Sequence, residues 1–329
     1  MIFVTGATGF LGNCVVRELC RRGEAVRVLC RPEASRECFT GLPVEIVEGD
    51  LSNTHGLIRA LEGCRAAVHC AALIHIGWHQ LERSREVNVG GTRRLAEACL
   101  AHQVRMVHVS TVDTLPAATT GGRPIDETGS GGVEKVPCSY VISKQEAEFV
   151  VREFIAARNL DAVIVHPGFM LGPYDWKPSS GRMLLEVSRL PVVAAPRGGC
   201  SVCDARDVAH AVANAIDHGQ SGENFILAGE NLTYQELWKR MLHVAGRRAP
   251  VFRLGPAVSA IGKIIDLTNR LLPIQEGDVN GAMIAMGNLK HFYSSQKAHQ
   301  HLQYRNRDLN ETLQDAWDWL QRRRHCTGH

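Results

Sequence analysis

Tyr140 and Lys144 are the residues best spaced to do chemistry, four apart in Tyr140-Val141-Ile142-Ser143-Lys144. On a helix, residues four apart share a face, so the spacing sets the Lys144 ammonium near the Tyr140 phenol. A cation there favours the phenolate and draws its pKa down from about 10, toward the range where a general acid or base works best. Alone, such a pair is a weak signal, because many exposed helices carry one. A stronger signal precedes it by about 130 residues: Thr5-Gly6-Ala7-Thr8-Gly9-Phe10-Leu11-Gly12. It follows the apolar run Ile2 to Thr5 and opens a helical spacing at Leu11, Val15 and Leu19. Gly6 allows the tight turn, Gly9 lets a pyrophosphate reach the backbone, and Gly12 lets the helix pack close to the sheet. The helix N-terminus adds free N–H groups and a positive dipole end. The expected ligand is a dinucleotide. The alternative is a bare strand–helix turn.

The end of the second strand reads the ribose. An acidic residue there accepts from a 2′-hydroxyl, whereas an arginine suits a 2′-phosphate. Cys30-Arg31 stands at this place, and the first acid, Glu33, comes after Pro32. The pattern favours NADP over NAD, with a solvated Arg31 as the bland alternative. Asp50-Leu51 follows the third strand, where the adenine edge would lie. The Asp50 carboxylate would accept from the adenine amine or cap the next helix.

The elements that must position these groups are legible in the pattern. Strands are expected at Ile2 to Thr5, Ala25 to Cys30, Val44 to Val47, Ala66 to His69, Arg105 to Val109, Ala162 to Val165 and Phe225 to Ala228. Helical patterns fall between them, notably Phe10 to Arg22, Arg83 to Ala101 and Ser139 to Arg158. This alternation predicts an α/β fold, a doubly wound parallel sheet of the Rossmann type with helices on both faces. Residues 1–170 read as the dinucleotide domain. Residues 171–329 read as mainly a smaller substrate lobe, with about 200–230 returning to the sheet. Asp113 to Pro137 and Gly172 to Gly199 are rich in Gly and Pro and read as long loops, the usual place for a flap over a substrate. Thr233 with Glu236 forms a capping-box pattern, and Asn310 is expected to open the last helix.

Composition limits the alternatives. The chain has 329 residues with 45% hydrophobic and 22% charged, which excludes disorder. Its net charge is 37 − 34 = +3, with no clustered basic face for nucleic acid. Arg322-Arg323-Arg324 reads as a helix end meeting its dipole. No apolar run reaches the ~18–20 residues of a spanning helix, and no signal-peptide pattern is present. A cytoplasmic protein is expected. The 11 cysteines are scattered and read as reduced thiols, including the lone Cys200-Ser201-Val202-Cys203 pair. His75 and His79 lack a metal-binding frame, so no metal is expected.

Taken together, the motifs resemble the extended short-chain dehydrogenase/reductase superfamily, the NAD-dependent epimerase/dehydratase family. The marks are Thr5 to Gly12, Asp50-Leu51, His69-Cys70-Ala71-Ala72, Asn88-Val89-Gly90-Gly91-Thr92 and Tyr140/Lys144. His166-Pro167-Gly168 to Gly172-Pro173, Asp204 to Ala209, Asn231-Leu232-Thr233 and Tyr293 to Trp319 carry the resemblance over essentially the whole chain. It is closest to the dihydroflavonol-reductase-like and 3β-hydroxysteroid-dehydrogenase-like group. Hopanoid-associated sugar-epimerase-like proteins look similar too.

The resemblance implies cofactor contacts at Gly6, Thr8, Gly9, Phe10, Leu11, Gly12, Arg31, Asp50, Leu51, Cys70, Ala71, Ala72, Tyr140, Lys144, Pro167 and Gly168. It implies a catalytic hydroxyl on Thr111, with Ser110 as second candidate; a strand alternates its faces, so only one points at substrate. Tyr140 would exchange a proton with the substrate oxygen, and Lys144 would tune Tyr140 and bond the nicotinamide ribose. Asn88 would be a structural hydrogen-bonder. Val112 and Asp113 replace the family's usual small residue, a departure that bears on pocket shape rather than chemistry. The family often dimerises through helices flanking the sheet, so the resemblance implies a homodimer; the residues leave this open.

The leading expectation is an NADP-dependent reductase of a ketone or aldehyde. The alternatives are an NAD-dependent nucleotide-sugar epimerase or dehydratase, with Arg182, Arg189 and Arg197 for a diphosphate, and a non-catalytic dinucleotide sensor. Val258 to Leu272 shows an apolar helical stripe, either packed inward or suited to a membrane surface and a lipid-like substrate.

Overall fold

The computed structural model describes residues 1–119, 121–255 and 280–327. The strands are β1 (Ile2–Thr5), β2 (Val26–Cys30), β3 (Val44–Glu48), β4 (Ala66–His69), β5 (Arg105–Val109), β6 (Ala162–Pro167), β7 (Phe169–Leu171), β8 (Val193–Ala195), β9 (Gly199–Asp204), β10 (Asn224–Leu227), β11 (Glu230–Thr233), β12 (Val251–Arg253) and β13 (Lys290–His291). The helices used below are α1 (Phe10–Arg21), α2 (Thr54–Ala60), α3 (Leu81–Ser84), α4 (Gly91–His102), α5 (Ser139–Arg158), α6 (Ser180–Arg189), α7 (Ala205–His218), α8 (Tyr234–Val244), α9 (Gly281–Gly287), α10 (Gln296–His301) and α11 (Leu309–Thr327).

Seven strands form one parallel sheet in the order β10-β6-β5-β4-β1-β2-β3. Every residue of β1, β4 and β6 is buried, as continuous apolar runs in a sheet covered on both faces must be. Alternation along β1 sends Ile2 and Val4 into a core with Val15 and Val212, whereas Phe3 joins Leu57, Leu95 and Phe154 on the opposite face. The strand order reverses between β1 and β4, so their carboxyl ends open a crevice there.

A second sheet runs β11-β9-β13, with β7 also paired to β9. A third apolar core lies around it, holding Leu184, Leu237, Met241, Leu313 and Leu320 of α6, α8 and α11. No helix among the described residues is long and apolar enough to cross a membrane. The amphipathic stretch 258–272 lies outside the described residues.

Several expected elements differ in detail. Gly172 to Gly199 is not one loop: it contains α6 and β8. Gly181 and Pro178 hid the helix, and its cap comes from upstream, where Asp175 Oδ2 accepts from the Ser179 and Gly181 N–H groups at 2.9 and 3.0 Å. The helix expected over Arg83 to Ala101 widens into a π turn at Arg85–Gly90 between α3 and α4. Gly91 packs there with room for no β-carbon, which would lie 2.8 Å from Leu51 Cδ1. Asp308, not Asn310, leads the last helix, its Oδ1 accepting from the Asn310 N–H at 2.8 Å. Asp113 to Pro137 remains irregular and is held by isolated bridges, Ala117 to Val133 and Ile125 to Tyr293.

The capping box at Thr233 forms in full, with Thr233 Oγ1 accepting from the Glu236 N–H and Glu236 Oε2 accepting from the Thr233 N–H. Thr233→Ala is expected to cost about 1 kcal/mol in urea denaturation. Glu18 joins α1 to α7 by accepting from Arg21, Arg22 and His210. Burial opposes its charge, but those hydrogen bonds outweigh burial and hold its carboxyl down at about 2. Its stabilisation is therefore present above the usual carboxylate pKa and lost as pH falls toward 2. Acid unfolding of Glu18→Gln is expected to be less steep across that window, measured by circular dichroism.

Candidate active site

The glycine turn is built of backbone against backbone. Gly6 has φ +69°, and a β-carbon on it would lie 2.5 Å from Ala71 N. A β-carbon on Gly12 would lie 2.1 Å from Gly6 O. Gly9 is exposed and precedes α1 without any side-chain cap, and the first turn of α1 holds no acidic residue. These N–H groups fit a dinucleotide pyrophosphate. Thr8 and Phe10 are half-buried beside the turn, while Leu11 packs its side chain into the core and faces the crevice through its backbone alone.

The rest of the crevice rim is partly polar. Ala71 crosses the turn, its N–H 3.4 Å from Thr5 Oγ1, and Cys70 N–H donates to Thr5 O at 3.2 Å. Ala72 is exposed beside them. Cys30 is buried, leaving no acid at the tip of β2. The Glu48 carboxylate on the paired position of β3 is taken by Arg36. Arg31 is exposed and lies 3.3 Å from Glu33. Asp50 accepts from the Ser52 N–H and hydroxyl, which with the nearby Arg31 and Arg94 charges hold its carboxyl below the usual range. It does not cap the next helix; Asn53 does, accepting from the Gly56 N–H at 3.0 Å. Leu51 packs inward under α4, and Arg94 Nη1 donates to its carbonyl at 3.2 Å. Pro167 is buried at the end of β6, and Gly168 lets β9 approach, since a β-carbon there would lie 2.6 Å from Ser201 O.

Tyr140 and Lys144 lie on the first turns of α5, both buried. The Ser139 and Tyr140 N–H groups donate to the carbonyls of Gly77 and His75 at 2.8 and 3.2 Å, so the His75 to His79 loop seats the helix start. No group of three or more metal-ligating side chains exists among the described residues. Cys138, Tyr140, Val141 and Ala282 form an apolar cluster, packed by Ile76, Trp78, Val136 and Met286.

The two hydroxyls after β5 part ways. Ser110 turns inward to donate to Glu148, while Thr111 lies on the side of the Tyr140 phenol. Asn88 Oδ1 accepts from the Leu73 N–H at 2.7 Å, and its Nδ2 donates to Ser143 Oγ at 2.9 Å. It ties the π turn to the β4 loop and α5.

Two expectations are corrected. Lys144 Nζ donates to Val109 O at 2.7 Å, and the Tyr140 phenol is not drawn down. Burial, followed by the Asp113 charge, pushes its pKa above the usual value. Spacing alone puts the ammonium on the right face, but the backbone carbonyl claims it. Asp113 also bears on chemistry as well as shape: its Oδ2 accepts from Thr111 Oγ1 at 3.2 Å and its Oδ1 lies 3.3 Å from His291 Nδ1. Burial lowers Lys144 to about 8 against the pull of Glu148. Glu148 and Thr114 escaped the sequence reading, and His166 entered it only as part of the His166-Pro167-Gly168 segment; the available clue was that Glu148 continues the four-residue spacing of Tyr140 and Lys144.

The sequence profile of the NAD dependent epimerase/dehydratase family matches residues 2–228. A provisionally named dihydroflavonol 4-reductase of Synechocystis sp. is 31% identical over 97% of this chain and 94% of its own. Sterol demethylase protein B of Methylococcus capsulatus is 33% identical over 77% of each chain. The crystal structure of gox2253 superposes with a TM-score of 0.86 and 33% identity, covering 98% of both chains. The chain belongs to the NAD dependent epimerase/dehydratase family and is an NAD(P)-dependent oxidoreductase of the extended short-chain type. Gly12→Ala is expected to abolish NADPH and NADH binding by fluorescence titration. It should also destabilise the fold by about 1–3 kcal/mol, because the added methyl meets backbone that cannot swing aside.

Proposed function

We propose that this enzyme reduces a ketone or aldehyde on a largely apolar molecule to the alcohol, using NADPH. The observation that carries the reading is a protonated phenol, Tyr140, beside the Thr111 hydroxyl and walled by apolar side chains. Such a wall suits a carbonyl on a hydrocarbon frame, and one relative is named for a sterol. It does not suit a sugar diphosphate. Arg182 and Arg189 stand on the exposed face of α6, with Arg182 Nε 2.8 Å from Glu186, and Arg197 is exposed as well. Residues 171–329 would supply most of the substrate lobe, apart from β10, which extends the main sheet.

The dinucleotide, when bound, supplies hydride to the carbonyl carbon. Gly6, Gly9 and Gly12 with the α1 N-terminus would hold its pyrophosphate, Ala71 and Ala72 its middle, and Arg31 a 2′-phosphate. The Arg31–Glu33 pair is exposed and worth little, so it would yield to a dianion. Thr111 Oγ1 donates to the substrate oxygen and steadies the developing alkoxide. Tyr140 Oη gives that oxygen its proton. Burial holds the proton on Tyr140 at neutral pH, so the phenol is in the form that can donate it. Lys144, while donating to Val109 O, would present its remaining N–H groups to the ribose.

NADPH is expected to bind at least tenfold tighter than NADH, with Arg31→Ala and Arg31→Asp erasing the gap in nicotinamide fluorescence. Tighter NADH binding, or NAD retained through purification, overturns the NADP reading and favours an epimerase. Against a panel of apolar ketones, Tyr140→Phe should lower kcat by about 10²–10⁴-fold while dinucleotide affinity stays within twofold. Because Lys144 titrates near 8, turnover is expected to fall as pH rises through that value. A flat profile from pH 6 to 9 removes Lys144 from the mechanism.

A further inference from the structure

Behind the Tyr140–Lys144 pair lies a second polar cluster that the reaction does not touch. Its centre is Glu148, buried one turn beyond Lys144 on α5. Glu148 Oε1 accepts from Ser110 Oγ, lies 2.6 Å from Thr114 Oγ1 and 3.2 Å from His166 Nε2. Thr114 Oγ1 also lies 2.8 Å from Thr111 O. Ser110 and Thr114 therefore bracket Thr111, and one carboxylate holds both brackets. Lys144 grips the residue before them through Val109 O. Two adjacent turns of α5 thus fix the whole segment that presents Thr111.

We propose that Glu148 is a positioning residue of this centre: its carboxylate clamps Thr111 from both flanks and is the anion that keeps Lys144 an ammonium. The inference rests on reading Tyr140, Lys144 and Thr111 as the reacting groups.

The charges around Lys144 support it. His69, which bonds Thr5 and Thr92, is held down at about 3 by burial and then by Lys144 itself. His108 is driven the same way by the same two causes. Burial pushes the Cys70 thiol up to about 12. All three are neutral at pH 7, so none balances an ammonium. Burial also opposes charge on Glu148, but its hydrogen bonds to His166, Ser110 and Thr114 outweigh that and hold the carboxyl at about 2. At the rim, Arg152 Nη2 lies 4.0 Å from Glu148 Oε2, and Lys135 Nζ donates to Thr114 O at 2.9 Å. Lys144 sits only slightly above neutral pH with this anion beside it. Glu148 pulls against the burial of Lys144, so without that carboxylate the Lys144 pKa falls further.

The charge state of Lys144 can be read directly. The protein would be labelled with [ε-13C]lysine, with the Lys144 resonance assigned by its loss in Lys144→Met. In Glu148→Gln, which keeps the shape and an acceptor but not the charge, the Lys144 titration midpoint is expected to fall by about one pH unit or more. Glu148→Asp, which keeps the charge, should return it toward the wild-type value. At pH 7.5, Glu148→Gln should weaken NADPH binding by about threefold, with recovery at pH 6, as a midpoint falling by one unit from about 8 takes the ammonium fraction from roughly three quarters to roughly one quarter. An unmoved midpoint overturns the proposal. A midpoint that moves in a protein binding neither NADPH nor NADH supports the charge coupling and overturns the dinucleotide reading instead. Ser110→Ala with Thr114→Val removes both hydroxyls but not the charge, and keeps the clamp testable should Glu148→Gln not fold. Amide exchange over residues 111–115 is then expected to quicken several-fold with the Lys144 midpoint unchanged; unaltered exchange overturns the clamp.

Discussion

An ammonium buried away from water is the constraint around which this site is arranged. Lys144 is enclosed on α5, and removing a charge from water is costly unless it is paired and hydrogen-bonded. Its surroundings answer both needs. Val109 O accepts from it, and the Glu148 carboxylate supplies opposite charge one turn away. Holding that carboxylate in turn requires donors, which Ser110, Thr114 and His166 provide. The position of Thr111 follows, because its neighbours on both sides are committed to Glu148. The position of Thr111 is thus set by electrostatics a layer deeper.

The dinucleotide end of the crevice obeys a different constraint, the absence of side chains. Gly6 and Gly12 meet backbone where a methyl group would collide, and Ala71 from the end of β4 lies directly over the turn. The sheet brings β1 and β4 side by side at the point where strand order reverses. Close backbone approach and an uncapped helix start therefore coincide. Asp113 adds a charge beside this crevice. Its carboxylate accepts from Thr111 and its charge helps keep the Tyr140 proton in place.

The second lobe shows how local rules were overridden. α6 begins among glycine, proline and serine, residues that ordinarily signal a loop, yet its face packs Leu184, Leu185 and Val187 into the third core. Its first N–H groups are satisfied by Asp175, several positions upstream. The π turn before α4 is a similar case. It was invisible as periodicity, because it depends on Asn88 reaching the β4 loop and Ser143 at once.

Much was legible in the sequence because it is written in short-range physics. Apolar runs such as Ile2 to Thr5 and Ala162 to Val165 must be interior strands, and Ser139 to Arg158 carries its helix from end to end. The glycine turn was legible as a strand–helix turn through its spacing, and Thr233 with Glu236 as a capping box. Tyr140 and Lys144 were placed on one face by helical geometry alone. Tertiary structure decided what each of these groups touches. Ser110 and Thr111 are neighbours of similar chemistry, and only the Glu148 carboxylate, some 38 residues away in sequence, determines which one faces Tyr140. Likewise Asp50 yielded its capping role to Asn53, and Lys144 took a backbone carbonyl of β5 as its partner. Hydrogen-bond partners and pKa values depend on burial and on distant charges brought together by the sheet, and neither is encoded in the spacing of neighbours along the chain.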